Sequence, residues 1–152
     1  MERAICFRGK SKSTGEWVEG YYFGDNTIIA YNEVVYDLGF IDTSPCHDCY
    51  PGSIGQFTGL YDKNGKEIYE GDVVRVGIVP FNYIGKNPEP YYVDAVCVYS
   101  QGSFLYKRIS PFDKKKLSRN WTYRPVYRHD IYTVEIIGKI TDNPELLKDG
   151  RD

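Results

Sequence analysis

The chain has 152 residues, a length typical of one domain, and a formal net charge of −2. This charge excludes a general attraction to nucleic acid or to anionic membranes. No apolar run approaches the ~18 residues of a membrane span or the ~7–15 of a signal-peptide core. We therefore expect a single domain over residues 1–152 that is cytoplasmic and makes no membrane contact. The 15 Tyr and 7 Phe, against one Met, favour strands over helices.

The N-terminal third of the chain predicts short strands joined by turns. Residues 10–15 are polar and bounded by Gly, and the aromatic stretch 16–23 follows them, a pattern typical of a β-hairpin. Gly, Asp and Asn at 24–26 predict a second turn, and 27–36 is a further β-type stretch. Residues 37–51 carry one Gly and two Pro without apolar alternation, so we expect a loop there.

The middle of the chain contains its clearest turn signal, Asn-Gly at 64–65, which suits a tight turn with positive φ. The two flanks of this turn, within 57–68, should pair as a hairpin. Residues 73–79 form an apolar strand, and 91–99 alternates with apolar residues on both faces, which predicts burial on nearly both sides. Residues 80–90 contain three Pro and indicate an exposed connection. This succession of turns and strands predicts a barrel or a sandwich.

The next segment predicts a helix start followed by irregular structure. Ser110 suits an N-cap and Pro111 the first helical position, so one or two helical turns are expected through Leu117. Residues 119–130 are aromatic, basic and interrupted by Pro, which indicates a loop or an irregular edge strand. Residues 132–140 predict the last strand.

The C-terminus predicts a second, short helix. Asn143 suits its N-cap, Pro144 its first position, and Glu145 the positive end of the helix dipole. We expect this helix to pack Leu146 and Leu147 against the strands.

Two long windows of the sequence carry a family resemblance. Residues 55–74 read GQFTGLYDKNGKEIYEGDVV and residues 134–147 read VEIIGKITDNPELL, and shorter matches occur at 7–10 and 15–20. In this order the windows resemble the YopX family, small proteins found largely in bacteriophages and prophages, with no established biochemical role. The resemblance implies a mainly β fold, a β pseudo-barrel of short strands with a short capping C-terminal helix. It also implies a phage or prophage origin.

A Cys-x-x-Cys motif marks the candidate metal-ligating residues, Cys46, His47 and Cys49. Two thiolates at this spacing can bind one zinc ion, with the imidazole between them as a third ligand. A structural zinc site needs a fourth ligand, and the chain has no second Cys-x-x-Cys pair. The alternative is a loop with incidental thiols, and we expect no cofactor.

A basic and aromatic segment, 107–130, marks a candidate nucleic-acid interface. It holds eight basic and two acidic residues, a net charge of +6, which leaves −8 for the rest of the chain. The cations could neutralise phosphates while aromatic rings stack on bases. The alternative is a solvated helix face beside a strand whose rings face the core. The candidate contact residues are Lys114, Lys115, Lys116, Arg119, Trp121, Tyr123, Arg124 and Arg128.

Catalytic patterns are missing from the sequence. Glu67, Glu70 and Asp72 gather near one turn, where Asp72 is better explained as a backbone acceptor than as a general acid or base. No Gly-rich phosphate loop opens a helix, and His47 and His129 are the two imidazoles of the chain. We therefore expect a non-enzymatic accessory protein that binds an unknown protein partner or assembles into a homo-oligomer. The alternative is a nucleic-acid-binding module that uses residues 107–130.

Overall fold

The computed structural model describes residues 5–31, 36–37, 40–41, 46–78, 90–112, 121–127 and 133–150. These residues divide into two compact units, Met1–Gly59 and Leu60–Asp152. The expectation of a single domain over 1–152 stays a prediction.

Strands account for most of the described residues, which confirms the mainly β prediction. The strands are β1 Phe7–Lys10, β2 Trp17–Gly24, β3 Thr27–Ala30, β4 Tyr36–Asp37, β5 Phe40–Ile41, β6 Cys46–Asp48, β7 Gly55–Tyr61, β8 Glu67–Tyr69, β9 Asp72–Ile78, β10 Tyr91–Ser100, β11 Ser103–Arg108, β12 Tyr123–Pro125 and β13 Val134–Lys139. Short 3₁₀ helices cover Pro51–Ser53 and Pro144–Gly150.

The first unit is built on antiparallel pairing in the order β6-β3-β2-β1-β7. The predicted hairpin of β1 and β2 is confirmed, with Phe7 opposite Gly20. Asp25 and Asn26 both have positive φ, 46° and 60°, the backbone of a type I′ turn that suits the twist of β2 and β3. The core of this unit contains Ile28, Ala30, Cys49 and Phe57.

The second unit contains an antiparallel sheet in the order β12-β11-β10-β9-β13. Along β10 the consecutive residues Ala95, Val96 and Cys97 are all buried, so burial on both faces occurs at the middle of this strand, as predicted. The core cluster of the second unit is Ile68, Val74, Val76, Ala95, Cys97, Tyr106 and Val134. The face away from this cluster carries Arg75 opposite Asp94, and next to them the buried pair Val73 and Val96.

Two buried carboxylates hold the turns that flank β8. Asp62 is fully buried and accepts hydrogen bonds from the N–H groups of Asn64 and Lys66, both at 2.9 Å, which closes the predicted hairpin of β7 and β8. Asp72 is also fully buried and accepts from the N–H of Tyr69 at 2.7 Å. The interpretation of Asp72 as a turn residue is therefore confirmed.

The C-terminal 3₁₀ helix packs against β13 over a glycine. A Cβ atom at Gly138 would lie 3.0 Å from Cδ1 of Leu146 and 2.7 Å from Oδ1 of Asn143. Leu146 therefore docks as predicted. Asn143 was predicted as the N-cap of this helix, but its Oδ1 accepts from the N–H of Lys139 at 3.2 Å and so caps the end of β13.

Three sequence predictions change in the structure. The sheets are not closed into a barrel, because β6, β8, β12 and β13 end the strand orders of the described chain. Within the predicted loop 37–51, Phe40–Ile41 pairs with Tyr36–Asp37, and Cys46–Asp48 forms an edge strand paired with β3, since the backbone groups of these segments find partners there. Pro111 and Phe112 are not helical.

Some predictions fall on residues that the structure does not describe. These are the helical turns over 113–117 and most of the connection 80–90. No helix among the described residues has the length and apolar character needed to cross a membrane.

Candidate functional site

The candidate zinc ligands are placed on β6 and the residue after it. Cys46 is exposed, whereas Cys49 is fully buried, and residues three apart on extended chain point to opposite sides. Burial, the largest cause, raises the pKa of the Cys49 thiol, which disfavours a thiolate. In the described parts of the chain, no three His, Cys, Asp or Glu side chains group as a metal site requires.

The structure shows a contact between a hydroxyl and an imidazole that sequence reasoning missed. Nδ1 of His47 lies 3.3 Å from Oγ of Ser11, across 36 positions, and Ser11 Oγ also lies 3.0 Å from Oγ of Ser13. A serine beside a base is the arrangement of a nucleophile. Ser11 is fully buried, so a substrate carbonyl has no access to its Oγ, and the contact ties β6 to the end of β1.

The candidate nucleic-acid residues are separated by the fold. Trp121 packs against the core cluster of the second unit, so its ring is not presented for stacking. Arg124 lies over the rings of Tyr106 and Tyr127, at 5.9 and 5.1 Å from their centroids. Tyr123 is half exposed and is the register partner of the exposed Lys107. The remaining candidates, Lys114, Lys115, Lys116, Arg119 and Arg128, lie outside the described residues.

Three consecutive aromatic residues are exposed at the end of β2, next to its turn. Tyr21, Tyr22 and Phe23 are 58%, 45% and 76% exposed. The pairing of β2 with β3 has a bulge between Tyr22 and Gly24, which re-aims the side chains there. We call Tyr21, Tyr22, Phe23 and Tyr31 the aromatic tip.

Contacts within the first unit order the aromatic tip. The ring of Tyr31 meets Tyr21 edge-on at a centroid distance of 4.5 Å. The Tyr31 hydroxyl donates to the carbonyl oxygen of Ile5 at 3.2 Å. Burial and then Cys6 raise the pKa of Tyr31, so its hydroxyl stays protonated. The ring of Tyr22 contacts the ring of Phe7, with a centroid distance of 5.5 Å.

A charged cleft of about 430 Å³ lies on the outer face of the second sheet. Arg75 on β9 donates from Nε and Nη2 to the two carboxylate oxygens of Asp94 on β10, at 2.8 and 3.0 Å. Lys63 forms an ion pair with Glu135 on β13 at 2.6 Å. The cleft residues are Lys63, Arg75, Tyr92, Asp94, Ser110 and Glu135.

The ion pairs of the charged cleft shift the pKa values of its side chains. The hydrogen bond with Glu135 is the largest cause that raises the pKa of Lys63, and the same bond lowers the pKa of Glu135. The hydrogen bond with Asp94 raises the pKa of Arg75. Lys63, Glu135 and Arg75 therefore stay charged near neutral pH. Spacing along the sequence does not reveal the cleft, because its residues come from distant elements.

Comparison with known proteins agrees with this architecture. The model of a family described as "YopX protein" matches residues 6–148. The crystal structure of protein EF1440 from Enterococcus faecalis is similar, with a TM-score of 0.56 and 23% identity, over 97% of this chain and 100% of that chain. No curated protein matches the chain. At this identity the structural likeness shows the fold.

Proposed function

The chain belongs to the YopX family, and from that premise we propose that it is a non-enzymatic accessory protein of phage or prophage origin. It acts by binding a protein partner or by assembling with copies of itself. The aromatic tip is the binding surface.

The exposure of the aromatic tip is the observation that carries this proposal. Burying a large aromatic side chain is worth about 1.5–3 kcal/mol, which a free protein leaves unused at Tyr21, Tyr22 and Phe23. Grouped exposed apolar residues mark protein interfaces, and Tyr and Phe are enriched in their centres. Tyr21 and Tyr22 can each pack the ring while the hydroxyl stays in contact with water, so the surface suits both the free and the bound protein.

The placement of potential catalytic groups supports a binding role. The carboxylates of Asp62 and Asp72 are buried and accept backbone hydrogen bonds. The contact between Ser11 and His47 is closed to substrate because Ser11 is buried. Asp62 and Asp72 serve the turns that flank β8 in the second unit, and the contact between Ser11 and His47 ties β6 to the end of β1 in the first.

Sedimentation equilibrium tests the self-assembly form of the proposal. We expect the mass to rise with concentration for the unmodified protein and to stay monomeric when Tyr21→Ser and Phe23→Ser are combined. Tyr99→Ser is the matched control, since Tyr99 is 53% exposed in the second unit. A strict monomer at high concentration would contradict self-assembly, and equal association of both variants would contradict the aromatic tip as its surface.

Affinity capture from prophage-induced cells tests the partner-binding form. The same two variants serve as bait, and captured proteins are identified by mass spectrometry. We expect that the unmodified chain and the Tyr99→Ser control capture the same protein. The variant that combines Tyr21→Ser and Phe23→Ser should not capture it. The function fails if neither self-association nor such a protein is found.

A second candidate function is binding of single-stranded nucleic acid through residues 107–130. The observation that favours it is a set of exposed rings next to cations in the second unit. Tyr123 pairs in register with Lys107, and Tyr127 lies 5.1 Å from the guanidinium of Arg124. Rings beside cations suit stacking on bases with neutralisation of phosphates.

Fluorescence anisotropy with a labelled single-stranded oligonucleotide tests this candidate. Binding should be strongest at low salt and should weaken when Lys114, Lys115 and Lys116 become Ala. Lys10, Lys12 and Lys66 changed to Ala provide a control with the same loss of charge. A flat titration at low salt would remove the nucleic-acid function.

A further inference from the structure

Tyr92 occupies an unusual position in the charged cleft. It is the register partner of Gly77 on the neighbouring strand, and a Cβ atom at Gly77 would lie 3.4 and 3.7 Å from Cε1 and Cδ1 of its ring. The ring therefore leans over backbone that no side chain covers. Packing of this kind fixes the ring on the sheet. Tyr92 is nevertheless 64% exposed, so much of the ring faces solvent.

The charges beside Tyr92 alternate and sum to zero. Asp94, Arg75 and Glu135 are neighbours across three strands, and Lys63 pairs with Glu135. A phosphate brought to Arg75 or Lys63 would meet the carboxylate of Asp94 or Glu135, so the cleft has no net attraction for anions. A cation brought to Asp94 or Glu135 would likewise meet the positive charge of Arg75 or Lys63. A neutral ligand meets no such repulsion.

These charged groups offer many hydrogen-bonding positions within a small area. Each carboxylate has about four acceptor sites. The guanidinium of Arg75 has five N–H donors, of which Asp94 uses the one on Nε and one of the two on Nη2. Hydrogen bonds to charged groups are stronger than those between neutral groups. The cleft thus combines charged donors and acceptors, without net charge, beside one fixed ring.

We propose that the charged cleft binds a neutral carbohydrate, with one sugar ring packed on Tyr92. A pyranose has a face of C–H groups that suits an aromatic ring and a rim of hydroxyls that both donate and accept. In this arrangement Glu135 and Asp94 accept from sugar hydroxyls, and Lys63 and Arg75 donate to sugar oxygens. The cleft of about 430 Å³ lies in the size range of small-molecule sites, roughly 300–1,000 Å³. This site shares no residue with the aromatic tip and does not depend on the proposed function.

Chemical-shift perturbation in ¹H–¹⁵N spectra of the full chain tests the proposal. The probes are the methyl glycosides of glucose, galactose and N-acetylglucosamine, with their β-linked disaccharides. We expect saturable shifts in the millimolar range, centred on the amides of Gly77, Tyr92 and Asp94. Adenosine monophosphate and glucuronic acid are the anionic comparisons. Stronger binding of either anion than of every neutral sugar would overturn the proposal.

Three variants of the cleft and one control variant locate the sugar. Tyr92→Ala should weaken binding about tenfold, since it removes the ring contact, and Tyr92→Phe should retain most of the affinity. Glu135→Gln should weaken binding. Its melting temperature should change no more than that of the control variant, Tyr99→Ala. Tyr99→Ala, which removes another exposed ring from the same strand, should bind like the unmodified chain. The proposal is overturned if no neutral sugar causes shifts, or if Tyr92→Ala and Tyr99→Ala behave alike.

Discussion

The carboxylate of Asp62 accepts a hydrogen bond through Oδ2 from the backbone N–H of Ile136, at 3.0 Å and across 74 positions. Its other oxygen, Oδ1, accepts from Asn64 and Lys66. One buried side chain therefore joins the turn after β7 to the last strand. The backbone bond from Lys63 N–H to Val134 oxygen, at 2.8 Å, lies beside it.

Replacing Asp62 with Asn should destabilise the protein by about 3 kcal/mol. Asn keeps one acceptor oxygen, but its amide nitrogen is a donor and would face a backbone N–H, which leaves buried donors unpaired. Urea unfolding should show a lower midpoint with an unchanged m-value. Asp48→Asn is the control, because Asp48 pairs with Lys12 on the surface and should contribute less than about 1 kcal/mol. Equal losses in the two variants would refute the role of Asp62.

Stability should depend on pH through Asp62. Burial alone would raise the pKa of its carboxyl, but hydrogen bonds from Ile136, Lys66 and Asn64 lower the pKa below its ordinary value. A lowered folded-state pKa means that the unfolded chain binds the proton more tightly, so the stabilisation is fully present above about pH 4. It is lost as the pH falls through the folded-state pKa. The stability difference between the unmodified chain and Asp62→Asn should shrink below about pH 4, whereas a constant difference would contradict this linkage.

Gly20→Ala should prevent correct pairing of β2 with β3. A Cβ atom at Gly20 would overlap the backbone carbonyl of Ile29, and backbone in a paired strand cannot move aside as a side chain can. We expect a loss of about 3 kcal/mol or more, seen as a lower melting temperature and loss of amide protection in the first unit. Gly52→Ala is the control, since a Cβ there meets no atom within 4 Å. A stable Gly20→Ala protein would contradict the close strand approach.

Gly138→Ala should loosen the C-terminal 3₁₀ helix. The new methyl group would displace the side chains of Asn143 and Leu146, at an expected cost of about 1–3 kcal/mol. Hydrogen exchange of the amides in 144–150 should become faster. Adding Asn143→Ala relieves the closest contact, so the double variant should lose less than the two single losses combined. Strict additivity would show that the contact does not exist.

Local turn chemistry was predictable from sequence because a turn is decided by adjacent residues. Gly65 has a φ of 77°, as the Asn-Gly signal predicted. Gln101 and Gly102 both have positive φ in the turn before β11, where a Gly is typical. The apolar alternation of β10 likewise predicted the burial of Val93, Ala95 and Cys97, although Tyr99 on the same face is exposed.

Long-range pairing was not predictable in the same way. Cys46–Asp48 has no strand pattern of its own and becomes a strand because Thr27–Ile29 offers backbone partners. The candidate site residues show the same limit. Trp121 and Tyr123 are two positions apart, yet one packs against the core and the other is exposed.

The sequence by itself determined the mainly β character, the hairpin turns and the family, because each depends on residues close together in the chain. Only the tertiary structure decided which side chains share a surface. In the second sheet β13 lies beside β9 and not beside β12, which brings Glu135 next to Arg75 and both near Tyr92. That neighbourhood follows from the strand order, which is set by burial of the apolar face of the whole sheet.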